Sequence, residues 1–200
     1  MSFKEYTIDD VIGALLRGGE ISRSGDNCFI GGGAIAGLTA ALSASLGVMA
    51  LEISGAIVSH DGATSPGCKF AASLQHFQAS AFELADADGI AFMKVREAWK
   101  IPKDNPEREG QVRIALFEAE DTARRIMGLS HDILALLQQC VRFVKPSLFS
   151  DLIAAALLAE TTARIAELNV DKGNSAEILQ QCRDCVAKIE QDCLRLRQED

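Results

Sequence analysis

The sequence predicts an all-α protein, an antiparallel helical bundle around a buried, Gly/Ala-rich central helix, and three observations carry that expectation. Apolar residues recur three and four apart in the long segments, from Ile8, Val11, Ile12 and Leu15 near one end to Ile178, Cys182, Val186, Ile189 and Cys193 near the other. No stretch alternates with period two for long, so strands have no signature. No charged residue occurs between Asp26 and Glu52, and the helix encoded there is apolar almost all round, as a helix with neighbours on every side must be.

The elements follow in order. Thr7-Ile8-Asp9-Asp10 reads as a helix start, a hydroxyl N-cap with an acid three residues on, and Gly18-Gly19 ends that helix. Residues 20 to 30 read as a connecting loop. Gly31-Gly32-Gly33 then turns the chain into the central helix, which runs to about His60, where Ser59 to Gly67 breaks the pattern. Small residues at Gly33, Gly37, Ala36, Ala40 and Ala44 leave one face of that helix nearly free of side chains, so a second backbone can pack on it.

From Cys68 to Trp99 the stripe Phe70, Leu74, Phe77, Ala81 and Leu84 continues through Phe92, Val95 and Trp99, with Asp86, Asp88 and Gly89 expected to interrupt it. Asn105-Pro106 supplies an N-cap with proline at the first helical position, and that helix runs towards Met127, with a kink expected at Gly128 and Ser130. Another helical stretch reaches Val144, and Pro146 stops it. Ser150-Asp151 opens a small-residue helix ending near Asp171 to Asn174, and Ser175 to about Arg197 forms the last one.

Two hundred residues suit one domain, 1–200, with enough chain for a core. A formal net charge of −8 argues against a nucleic-acid surface, which would show clustered Lys and Arg. Met1 to Tyr6 holds no apolar signal core, so the cytoplasm is the expected location, and the six cysteines read as free thiols.

The glycine turn admits three readings. Gly31-x-Gly33-x-x-Ala36 fits a relaxed dinucleotide fingerprint, with Glu52 about where a ribose-binding acid sits, yet no βαβ alternation follows. The charge-free run is long enough for a membrane span, although its Gly, Ala and Ser content makes it only mildly hydrophobic. The third reading is a buried helix whose N-terminus faces a site, offering unpaired N–H groups to an anionic ligand.

Elsewhere, Cys182-x-x-Cys185 lacks further metal ligands and reads as packing, and His60, His76 and His131 show no metal-ligand spacing, so no metal is expected. Asp86 and Asp88 within an apolar helix, Lys103 just beyond it, and Ser150-Asp151 opening an Ala-rich helix are either capping residues or acids and a base near low-dielectric surroundings.

Taken together, Gly31-Gly32-Gly33 leading to Val48-Met49-Ala50-Leu51, Asp86-x-Asp88-x-x-Ala91-Phe92-x-x-Val95, Ile101-Pro102-Lys103, and Ser150-Asp151-Leu152-x-Ala154-Ala155-Ala156 with Asn169-Val170 resemble one family in the same order. It is the cyclodeaminase/cyclohydrolase family, the folate domain found in formiminotransferase-cyclodeaminase and as stand-alone methenyltetrahydrofolate cyclohydrolases, and the resemblance covers about Thr7 to Asn174. It implies a homodimer or higher assembly, a tetrahydrofolate derivative as substrate, and no bound cofactor. The chemistry implied is hydrolysis of a 5,10-methenyl bridge or deamination of a 5-formimino group, which needs a carboxylate to stabilise positive charge and a group to move protons.

On that resemblance Asp88 and Asp151 are the expected catalytic acids and Lys103 their electrostatic partner or proton donor, with Gly31, Gly32, Gly33, Ser150 and Asn169 on the substrate. The stand-alone length favours the cyclohydrolase. This chain departs from the family in reading Phe29-Ile30 for Thr-Pro, Ala34 for Ser after the glycines, and Glu52 for Asn. A helical scaffold that kept the fold and lost the site is the alternative.

Overall fold

The computed structural model describes residues 3–23, 26–57, 65–170 and 175–199. Thr7 caps α1 (Ile8–Leu16) reciprocally: its hydroxyl accepts from the Asp10 N–H at 3.1 Å, and the Asp10 carboxylate accepts from the Thr7 N–H at 2.9 Å. Gly18 and Gly19, at φ of 91° and 88°, turn the chain back. Residues 20–30 are not a plain loop. They hold a hairpin, β1 (Glu20–Arg23) paired antiparallel with β2 (Asp26–Phe29), whose four-residue strands sit at the lower limit for reading alternation.

The central helix, α2 (Gly32–Ile53), ends earlier than His60, at Ser54 and a Gly55 with φ of 73°. Residues 58–64, with His60, lie outside the described residues. Ser65 then caps α3 (Pro66–Lys100), which runs unbroken for 35 residues through Asp86, Asp88 and Gly89. The expected interruption is absent because Asp and Gly in a helix interior cost only about 0.5–1 kcal/mol each, less than a long packed face returns. In the same way α4 (Arg108–Cys140) passes straight through Gly128 and Ser130, where the Ser130 hydroxyl bonds back to the Ile126 carbonyl at 2.9 Å. It begins after Asn105-Pro106, since the Asn105 side chain accepts from the Glu107 N–H at 2.8 Å and holds a turn ahead of the helix.

Two short 3₁₀ turns, Val141–Phe143 and Pro146–Leu148, replace the expected helix through Val144 and lead to α5 (Phe149–Glu167). The expected end of α5 at Asp171 to Asn174 falls outside the described residues, and the helix itself stops at Glu167. Last comes α6 (Ser175–Glu199).

Helix α2 packs antiparallel between α3 and α5, α4 closes the ring, and α6 lies over α4 and α5. Contact with α3 is close because a Cβ at Gly37 would stand 2.8 Å from the Ala85 Cβ and 2.9 Å from the Ala81 carbonyl oxygen, closer than side chains approach. Contact with α5 is fixed by the buried Ser43 hydroxyl, which donates to the Ala155 carbonyl at 2.7 Å. Cys182 and Cys193 are buried in the α6 contact, and burial pushes their thiols up to about 12 and about 11. Such thiols pack rather than react.

Helix α2 is long and apolar enough to cross a membrane by length and composition, with 56% of its most apolar window inside the bundle. Its outer stripe, Ile35, Leu38, Leu42, Leu46 and Met49, is part-exposed, Leu42 to 53%.

Candidate functional site

A cavity of about 310 Å³, at the small end of the range for ligand pockets, opens where α2 begins. Gly31, Gly32 and Gly33 line it at the start of α2. Asp88, Phe92, Val95 and Trp99 line it from α3, spaced four, three and four apart, so that one helical face carries them all. Leu116, Ala119 and Glu120 come from α4 by the same spacing rule, Phe29 from β2, and Asn169 from the turn after α5.

The hairpin supplies a wall. Phe29 stacks on Phe92 with ring centroids 4.2 Å apart, the Arg96 guanidinium lies 5.9 Å from the Phe29 ring, and Arg96 pairs with Glu20 at 2.5 Å. These contacts clamp the two strands against α3.

Asp88 is the chemically distinctive group. Burial pushes its carboxyl above the ordinary carboxylate range, and a hydrogen bond from the Ala34 N–H in the first turn of α2 pulls partly the other way. The carboxylate can reach that turn only because residue 33 is glycine: a Cβ there would fall on all three atoms of the carboxylate group. An N–H group expected to meet an anionic ligand is therefore taken by the protein's own acid. Among the described residues lining the cavity, the ionisable ones are Asp88 and Glu120, both carboxylates.

Of the residues singled out from sequence, the structure gathers Gly31, Gly32, Gly33, Asp88 and Asn169 around this cavity. Lys103 lies outside it, in an adjoining cleft of about 800 Å³ that also holds Arg113 and shares Leu116 and Glu120 with the first. Ser150 and Asp151 are at the other end of the bundle. Asp151 sits in the first turn of α5 and Asn169 just beyond its last, so roughly 25 Å of helix separates them. The Lys145 N–H, just before α5, donates to the Ser54 hydroxyl at 2.9 Å, which puts that end of α5 beside the end of α2 remote from the glycines. Asp88 and Asp151 thus share no pocket within one chain.

Glu52 stands near that remote end of α2, and β2 pairs antiparallel with β1 alone, so the dinucleotide geometry is absent from the described residues. Among those residues no group of three His, Cys, Asp or Glu side chains is placed to hold a metal ion.

Sequence reasoning missed Glu120 and the aromatic walls. Trp99, the end of the α3 stripe, is 51% exposed at the cavity. The signal was available, since Phe92, Val95 and Trp99 follow Asp88 on one helical face.

These features define a class: an all-α bundle carrying an acid-bearing, aromatic-walled cavity at the glycine-capped end of its core helix. The family model for formiminotransferase-cyclodeaminase matches residues 24–195, and the chain belongs to that family. Its fold is similar to the crystal structure of a formiminotetrahydrofolate cyclodeaminase from Thermotoga maritima, with a TM-score of 0.68 and 19% identity over 98% of this chain and 96% of that one. No curated protein matches the sequence.

Proposed function

We propose that the chain is an enzyme of folate one-carbon metabolism acting on the carbon held between N5 and N10 of tetrahydrofolate, as a methenyl cyclohydrolase or a formimino cyclodeaminase. The observation that carries this reading is Asp88, a desolvated acid at the edge of an aromatic-walled cavity with no cation among the described residues of its lining, in a chain of this family. A methenyl bridge is a planar cation, and stacking walls with carboxylates suit it. In the cyclohydrolase reaction water adds to the bridge carbon and loses a proton to Asp88. The C–N5 bond then breaks as the new hydroxyl proton passes to N5, leaving the formyl group on N10. A carboxyl raised towards the working pH both takes up and releases such a proton.

The similar-sized cyclodeaminase removes the argument from stand-alone length, so both reactions stay in the reading. Retention of an acid-bearing cavity favours catalysis over a scaffold that lost its site. The test is incubation with 5,10-methenyl-tetrahydrofolate and, separately, with the 5-formimino compound. Loss of the bridged chromophore above the spontaneous rate supports the first activity and ammonia release the second; neither, at micromolar enzyme, rejects the proposal.

The reading includes a homodimer, supported by the outward apolar stripe from Ile35 to Met49. Two copies paired antiparallel along α2 would bring one chain's Asp151 towards its partner's glycine turn, the way those two acids come to act on one ligand. The cytoplasm remains the proposed compartment, because the five described cysteines, Cys68, Cys140, Cys182, Cys185 and Cys193, are free thiols.

A further inference from the structure

We infer that Glu120 is the second acid of the cavity to touch the ligand, the group that holds the positive charge of the one-carbon bridge; this rests on the folate reading above. Glu120 reaches the same cavity from α4 that Asp88 reaches from α3. Their surroundings differ. Asp88 is buried against the first turn of α2, whereas Glu120 is 25% exposed and bonded to Arg124 one turn further along α4, at 2.5 Å. Two carboxylates that enter one cavity from different helices can divide its work, one moving protons and one facing the cation.

The position of Glu120 separates it from ordinary surface acids. Glu118, two residues earlier on the same helix, turns away from the cavity and pairs with Lys94. Glu120 instead stands where the aromatic-walled cavity meets the cleft holding Lys103, and it lines both. Arg124 steadies the side chain, which lines the cavity together with the rings of Phe29, Phe92 and Trp99.

The inference predicts discrimination between a cationic bridge and an uncharged one-carbon group. Trp99 is the single tryptophan and lines the cavity, so its fluorescence reports occupancy directly. The full chain, Glu120→Gln, Glu120→Asp and the control Glu118→Gln are titrated with 5,10-methenyl-tetrahydrofolate, whose bridge is a cation, and with 5-formyl-tetrahydrofolate, whose one-carbon unit is a neutral formyl group on N5 alone. Loss of one charge-assisted contact weakens binding of the methenyl compound by about tenfold in E120Q and leaves the formyl compound within about twofold. E120D restores part of the preference, and E118Q changes neither affinity. The inference is overturned if E120Q weakens both ligands equally, which would make Glu120 a shaping residue, or if it weakens neither. Should the unaltered chain bind neither ligand, the folate reading itself is lost, an outcome distinct from the other two.

Discussion

Exchange of Gly33 for alanine tests whether the glycine turn exists to admit an acid. Residue 33 lies in the first turn of α2 and is absent from the glycines with positive φ, so alanine suits the backbone and on propensity alone would stabilise the helix by up to about 1 kcal/mol. The obstacle is Asp88. A Cβ at 33 would coincide with its carboxylate, which must swing aside and give up the Ala34 N–H bond, worth about 1.5–3 kcal/mol for a charged acceptor. Part of that is offset as the displaced carboxylate regains water, so the net change in stability is about 1 kcal/mol in either direction. Turnover has no such offset: misplacing a reacting group by about 1 Å costs about 100-fold.

Gly128→Ala, within α4 and outside the cavity lining, is the control. Its Cβ would meet nothing within 4 Å. That variant keeps its turnover within about twofold and gains up to about 1 kcal/mol. Urea unfolding gives the stability of each variant, and the decay of the methenyl chromophore gives turnover. Equal turnover in G33A and the unaltered chain, or equal damage in G128A and G33A, refutes the claim that residue 33 is glycine for the sake of Asp88.

Two further outcomes follow from the same geometry. The Asp88 carboxyl is raised in the folded chain above its ordinary 3.8, so the stability it contributes is complete below about pH 4 and is lost as pH rises through the folded value. Asp88→Asn, which cannot ionise, therefore gains on the unaltered chain as pH climbs from 4 towards 8 in thermal melts, while its turnover falls by about 10² to 10⁴; a pH-independent gap in melting temperature contradicts the burial argument. Mixing Asp88→Asn with Asp151→Asn tests the shared site: each variant alone is inactive, and random pairing leaves one intact site in half of the dimers, restoring about a quarter of full activity. No recovery after mixing would show that Asp151 does not act across the dimer.

How much of this was legible depends on whether the signal was local. Helical spacing was plain where a helix buries one face, as in α1 and α6, and the paired Thr7 and Asp10 located the first helix start to the residue, whereas α2 was marked by its charge-free run. Gly89 and Gly128 misled because a glycine's propensity cost is fixed while packing along 35- and 33-residue helices is cumulative. The hairpin was illegible since its hold on the bundle comes from Phe29 on Phe92 and Arg96 on Glu20, contacts across about 60 to 75 residues of chain. Glu120 was missed for the same reason. On its own helix it is one acid among Glu118, Glu120 and Asp121, and only α3, folded against α4, shows which of the three faces the cavity.

The cavity and the core are one design in physical terms. Gly33, Gly37, Ala40, Ala44 and Gly47 fall three and four apart on α2, and the whole series is buried. At Gly47 the missing side chain is replaced by Leu74 and Leu137, at Gly37 by the backbone of α3, and at Gly33 by the Asp88 carboxylate. A single stripe of small residues therefore sets both the approach of α3 and the placement of its acid, and the acid is the last tooth of the same contact. Any change that lifts α3 from α2 at Gly37 must draw Asp88 away from the Ala34 N–H as well, because Ala85 and Asp88 lie within one turn of a continuous helix. Packing and catalysis should accordingly fail together at Gly37 and come apart only at Gly33, where the side chain displaced is the acid itself.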